Sequence, residues 1–134
     1  MYRVDFHTHS IASKDGSIRP EQYRAALEAD LLHYIAVTDH NRIDMAEELH
    51  KELGDKIIIG EEISTTEGDI IGLFLNKVVE PHQTPADAIK AIKAQGGLVY
   101  IPHPFETVRK GMQAKTLEAL IDQIDINEIH NGRA

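Results

Sequence analysis

The chain has no cysteine. A disulfide frame and a thiolate metal site are therefore both excluded. Any transition metal must be held by histidine and carboxylate, a donor set that suits Zn, Mn or Fe in a catalytic site better than a structural zinc. Basic residues are also scarce: 14 Lys and Arg stand against 22 Asp and Glu, a net charge of -8. That balance argues against a nucleic-acid partner held by electrostatics. It fits a solvated acidic surface, or carboxylates that await cations. Apolar runs fall far short of the roughly 20 residues that cross a bilayer. Arg3 and Asp5 interrupt what would be the apolar stretch of a leader. The expectation is a cytoplasmic protein with no membrane partner. No Ser or Cys nucleophile pattern and no Gly-rich phosphate loop occurs, which favours direct attack by activated water over a covalent intermediate. Repeats and low-complexity segments are missing too.

What is present is ordinary globular material. The 134 residues, 42% hydrophobic and 27% charged, are enough for one domain with a real core. Strands and helices alternate. Arg3–Phe6 reads as a strand and Pro20–Ala29 as a helix with proline at its first position. Tyr34–Thr38 is a second strand, and Ile43–Leu53 a helix closed by Gly54. Ile57–Ile59 is apolar on both faces, as a covered parallel strand is. Ile70–Leu75 follows the turn Glu67-Gly68-Asp69 and is expected to pair antiparallel with its neighbour. Thr84-Pro85-Ala86-Asp87 opens a helix that runs to Gln95 and stops at Gly96-Gly97. Leu98–Ile101 is a strand, Lys115–Ile121 a helix and Ile124–Ile129 a last strand. Such alternation implies an α/β fold, a parallel sheet or barrel.

Chemistry-bearing residues recur at the strand ends. In Val4-Asp5-Phe6-His7-Thr8-His9-Ser10, His7 and His9 are two apart and present both imidazoles to one side. Asp5 is expected on the same face, where it could support an imidazole. Asp39-His40 ends the second strand and Glu61-Glu62 the third; His103 follows Leu98–Ile101, and Glu128 and His130 close the last. The C-terminal strand edge is the active face of such folds. Structural need alone does not put His or Glu at nearly every one of these positions, and the set reads as a shared metal site.

The chain resembles the PHP domain, the polymerase and histidinol phosphatase family. The resemblance rests on Asp5-Phe6-His7-Thr8-His9-Ser10, Ser13-Lys14-Asp15-Gly16, Val37-Thr38-Asp39-His40-Asn41, Gly60-Glu61-Glu62-Ile63-Ser64 and Ile101-Pro102-His103-Pro104, and it covers the whole chain. It implies a distorted (β/α)7 barrel holding two or three divalent ions that serve phosphoester hydrolysis. By position it implies metal ligation by His7, His9, Asp15, His40 and His103, with Glu62 as the bridging carboxylate. Glu61 then points to the other side of the strand, as a solvated or helix-facing acid. Asp15 and His40 are also the candidates for the proton donor to the leaving oxygen. Arg109 and Lys110, in the loop after His103, are candidate phosphate contacts.

Two departures stand out. Many family members carry a metal-binding histidine after a glycine a few residues beyond the bridging glutamate; here Gly68 is followed by Asp69. The family also closes its domain with an Asp-x-His motif, and none follows His103. The expectation is a PHP domain over residues 1–134 that lacks this C-terminal portion, with roughly five parallel strands plus Ile70–Leu75. An unpaired last strand invites self-association through the open barrel edge; otherwise the chain is a piece of a longer protein. The expected activity is metal-dependent hydrolysis of a small phosphomonoester or nucleotide phosphate. Its rivals are a truncated domain that binds metal without turnover, and C–N bond hydrolysis with the same metals. His33, His50 and His82 read as surface residues, and His130 faces the right end of its strand to ligate.

Overall fold

The computed structural model describes residues 2–102 and 120–127. The strands are β1 (Val4–Thr8), β2 (Tyr34–Val37), β3 (Ile57–Thr65), β4 (Gly68–Leu73), β5 (Leu98–Ile101) and β6 (Ile126–Asn127). The helices are α1 (Pro20–Glu28), α2 (Asp44–Leu53) and α3 (Pro85–Ala94). The six strands form one sheet in chain order. β1, β2 and β3 are parallel, β4 is antiparallel to both of its neighbours, and β6 runs parallel to β5. Five strands therefore share a direction, as the alternation of elements anticipates, and β4 folds back as the hairpin partner of β3.

The sheet curls. Strands four places apart in a flat sheet lie about 19 Å from one another. Yet the Phe6 ring on β1 lies 6.3 Å from that of Tyr100 on β5. Ala36, Ile58, Ile71, Leu73 and Tyr100 fill the concave side, with Val4, Phe6 and Ile126 packed against them. The convex side is covered by helices. Tyr23 and Leu27 of α1 and Ala46 and Leu49 of α2 pack on Ile35, Val37 and Ile57, while Ile89 and Ile92 of α3 pack on Ile63, Ile70 and Val99. This is an open, incomplete α/β barrel.

Local chemistry explains most boundaries. Pro20 opens α1, and the Arg19 amide donates to Gln22 Oε1 at 2.8 Å. The Thr84 hydroxyl accepts from the Asp87 amide at 3.2 Å and Pro85 supplies the first helical residue of α3. Gly54 ends α2 with φ 76°. Three expectations need correction. β3 continues through Gly60-Glu61-Glu62 to Thr65, because β4 pairs with it throughout from Gly60. β4 stops at Leu73, since Phe74 turns the chain at φ 61°. Of the expected helix Lys115–Ile121, residues 115–119 lie outside the described residues; Leu120 is helical and Ile121 opens a 3-10 turn, Ile121–Gln123. His50 is half-buried and its Nδ1–H donates to the Ile57 carbonyl at 2.9 Å, so it closes the α2–β3 connection instead of facing solvent.

Candidate metal centre

β1 does not keep strict alternation. Its register on β2 shifts between Asp5 and Thr8. Phe6 and His7, neighbours in sequence, both abut the Tyr100 ring. Such an irregularity re-aims side chains, and it turns His7 and His9 to the concave side. Asp5 is corrected by the same observation, because the shift breaks the two-residue period that would keep it in step with His7 and His9. Its carboxylate accepts from the His7 backbone N–H at 3.1 Å, bracing the bulge. Thr8 points the other way. Its hydroxyl donates to the Ala36 carbonyl at 2.6 Å and accepts from the Tyr23 hydroxyl at 2.8 Å. Burial pushes the Tyr23 hydroxyl pKa up, which keeps it a donor.

The exit of β2 is tied to β3. The Glu62 amide donates to the Asp39 carbonyl and the Asn41 amide to the Glu62 carbonyl, both at 3.0 Å, so His40 stands beside Glu62. Asp39 itself is 1% exposed and faces the loop after β1. It accepts from the Ser10 amide (2.7 Å), the Ser10 hydroxyl (2.6 Å) and the Ser13 hydroxyl (2.7 Å). The Ser13 hydroxyl accepts in turn from the His40 amide at 3.0 Å. Asp39 is thus the brace that fixes the Ser10–Gly16 loop and the backbone of His40. The sequence signals it only faintly, through an acid at a strand end and two serines three apart.

His7 Nε2 and His9 Nε2 lie 3.2 Å apart, and Glu62 Oε1 is 3.1 Å from the first and 2.8 Å from the second. Two donors on one tetrahedral ion, each about 2.0–2.1 Å from it, are separated by about 3.3 Å. The donor set and its spacing therefore fit a divalent ion. The His40 ring stacks on that of His9 at 4.5 Å; its Nε2 lies 3.3 Å from Asp15 Oδ2 and its Nδ1 3.9 Å from Glu62 Oε1. Three overlapping ligand groups result: His7, His9 and Glu62; His9, Asp15 and His40; His40, Glu62 and Asp69.

Electrostatics agree with this convergence. Burial pushes the Glu62 carboxyl upward, but hydrogen bonds and positive charge from His7 and His9 outweigh that and hold it far below the usual carboxylate range. A modest burial cost at Asp15 is outweighed by His40 and His9, so it too is lowered. The neighbouring Glu61 behaves oppositely. It points away from Glu62, as strand alternation requires, but is fully buried instead of solvated. Its Oε1 accepts from the Val79 amide at 2.8 Å while its Oε2 has no hydrogen-bond partner. Burial pushes its carboxyl up to about 7, with the Val79 amide opposing and Glu80 adding to the rise.

The structure thus brings together His7, His9, Asp15, His40 and Glu62. His103, Arg109, Lys110, Glu128 and His130 lie outside the described residues. His33 sits away from the cluster, its Nδ1 accepting from the Arg3 amide at 2.8 Å, and His82 is exposed. Among the described residues, no helix is long and apolar enough to cross a membrane.

The sequence profile of the PHP domain matches residues 5–124. Two uncharacterized proteins of Methanocaldococcus jannaschii are similar in sequence. One is 40% identical over 137 residues, covering 92% of this chain and 80% of its own length. The other is 31% identical, covering 98% of this chain and 53% of its own length. Three solved structures share the fold. A two-domain protein from Bacteroides vulgatus, containing a predicted PHP-like metal-dependent phosphoesterase, superposes with TM-score 0.74 at 24% identity, over 99% of this chain and 45% of that one. A protein of Bifidobacterium adolescentis described as a metal-dependent phosphoesterase gives 0.70 at 16% identity, over 95% and 77%. An amidohydrolase from Chromobacterium violaceum, with bound sulfate and no metal, gives 0.66 at 17%, over 93% and 76%. This chain therefore spans about half the length of the second M. jannaschii protein and less than half of the Bacteroides one.

Proposed function

The chain belongs to the PHP domain family, and on that premise we propose that it is a metal-dependent phosphoesterase, hydrolysing a small phosphomonoester or nucleotide phosphate with activated water. The observation that carries the reading is the meeting of His7, His9 and Glu62 within 3.2 Å of one another, with His40 and Asp15 on the same concave rim. His7, His9 and Glu62 would hold one ion, and His9, Asp15 and His40 would face a second; Zn, Mn or Fe suit such donors. Divalent ions there would supply Lewis acidity toward a phosphoryl oxygen and acidify water near neutral pH.

The chain's own residues do the rest. Glu62, 2% exposed and kept ionised by its two imidazoles, supplies a fixed negative charge between the ligand groups. Asp39 holds the loop that carries Asp15 against the backbone of His40, so the Asp15–His40 pair is pre-set. Asp15, half-exposed on the rim, and His40 behind it are the candidates, where not engaged by an ion, to pass a proton to a leaving alcohol. His103 as a further ligand and Arg109 and Lys110 as phosphate contacts complete the proposed site.

Purified protein supplied with Mn2+ or Zn2+ should release phosphate from members of a phosphomonoester and nucleotide panel, and chelation should stop it. His9→Ala and Glu62→Ala should each lose activity by more than about a hundredfold, well beyond any loss of stability. Metal binding without turnover on any substrate would favour the rival reading, a PHP domain that binds ions but does not catalyse. Full activity in either variant would show that the site is misplaced. Self-association through an open sheet edge is part of the same proposal, and the solution mass of the chain tests it.

A further inference from the structure

Asp15 is the ligand candidate that secondary structure holds least. His7 stands on β1 and Glu62 on β3, and His40 is bridged to Glu62. Asp15 rides on the Ser10–Gly16 loop, its side chain 55% exposed. The position of that loop therefore decides whether His9, Asp15 and His40 close on one ion. On its buried side the loop is gripped by Asp39, through Ser10 and Ser13. On its exposed side it is gripped by Arg42. Asn41 turns the chain at φ 55°, a conformation that asparagine tolerates. His40, before the turn, joins the ligand cluster, and Arg42, after it, reaches across to the loop. Arg42 Nη1 donates to the Ala12 carbonyl at 3.1 Å. Its Nε and Nη2 donate to the two carboxylate oxygens of Asp44, the first residue of α2, at 2.7 and 2.5 Å. A planar fork held at two points has little freedom left. The hydrogen bond from Arg42 also holds the Asp44 carboxyl below its usual range, so the pair is ionised at any pH where imidazole binds metal.

We infer that Arg42 is a positioning residue: braced by Asp44, it latches the Ala12 carbonyl and so sets the affinity of the His9, Asp15 and His40 group for its ion. The sign of the effect separates a latch from a bare charge. A guanidinium near a cation site repels the incoming ion, so on charge alone its removal would tighten binding. As a latch its removal weakens binding, because a loosened loop must be ordered when the ion arrives. The group of His7, His9 and Glu62 takes no ligand from the Ser10–Gly16 loop and is indifferent to the latch. Arg42 and Asp44 are 48% and 62% exposed. So exposed an ion pair adds little to fold stability, and the latch serves the ion more than the fold.

This inference rests on the metal-centre reading above, and the test separates the two. Metal-free wild type, Arg42→Ala, Arg42→Lys and Asp15→Asn are titrated with Mn2+ alone and with Zn2+ alone, by calorimetry, and the melting temperatures of the metal-free proteins are recorded. Wild type should take up two ions. Arg42→Ala should weaken one binding step by about tenfold or more and leave the other within about twofold. Asp15→Asn, which removes the ligand on the loop, should weaken the same step. Arg42→Lys keeps the charge but not the fork, and should fall with Arg42→Ala. Metal-free melting temperatures of the two Arg42 variants should move by less than about 4 °C. Unchanged or tighter binding in Arg42→Ala, equal losses in both steps, or wild-type affinity in Arg42→Lys would overturn the latch and leave the metal centre standing. A wild type that takes up one ion only would do the same. Should Arg42→Ala fail to fold, Arg42→Lys decides. Failure of wild type to bind either metal would overturn both readings.

Discussion

At the scale of single residues, the site depends on contacts that leave no room for substitution. Gly16 closes the loop that carries Asp15, and a Cβ built on it would meet the Ser10 carbonyl oxygen at 2.0 Å, a backbone atom that cannot swing aside. Gly16→Ala should therefore cost about 1–3 kcal/mol and weaken metal binding together, as read by denaturant unfolding and calorimetry. Stability lost with metal affinity unchanged would show that the loop does not pre-set the site. Glu61 permits a pH test. Its folded pKa is raised to about 7 from 4.5. A raised acid contributes fully below the unfolded value, and that contribution is lost as pH rises through the folded one. Wild type should thus lose stability relative to Glu61→Gln between about pH 4.5 and 7, by up to about 3 kcal/mol. The neighbouring ligands titrate in both proteins and cancel in the difference. A flat difference across that window would mean that Glu61 is not buried as described.

At the scale of elements, β6 is the most lightly held strand described. Among the described residues it pairs through Tyr100 with Ile126 and Ile101 with Asn127. Asp125 clamps its start, accepting from the Val99 amide and from Lys93 Nζ, each at 2.8 Å. Asp125→Ala should raise hydrogen exchange at the Val99 amide and on β6 while β1–β3 keep their protection. A uniform rise across the sheet would contradict that independence. Elements were legible in the sequence where a single local cause sets them. The Thr84-Pro85 start of α3, the Gly54 stop of α2 and the turn before β4 follow from cap and turn chemistry alone. The rest depended on tertiary partners. Nothing local says that Glu61 and Glu62 stay in a strand; the Val79 amide and the His7 and His9 imidazoles supply the partners that make it tolerable. Nor does the two-residue period reveal the bulge that separates Asp5 from His7 and His9. His7, His9 and Glu62 were legible because strand ends collect them. Asp39 was legible as an acid at a strand end but not as a brace, because nothing local says that it accepts from Ser10 and Ser13.

At the scale of the molecule, the curled sheet is what turns scattered strand ends into one site. β1, β2, β3 and the start of β4 deliver imidazoles and carboxylates to one end, and the concave packing of Phe6, Ile58, Ile71 and Tyr100 fixes the curl that makes them converge. Bringing like groups together without a cation is costly, so ion binding and folding are linked, and the folded form gains about 2.7 kcal/mol at a hundred times the dissociation constant. The most direct test is the melting temperature of metal-free protein with and without added Mn2+ or Zn2+, alongside elemental analysis of the protein as purified. The expected result is at least one divalent ion per chain and a rise in melting temperature of several degrees that Glu62→Gln largely removes. No bound metal and no thermal shift with either ion would contradict the assignment of this cluster as a metal centre.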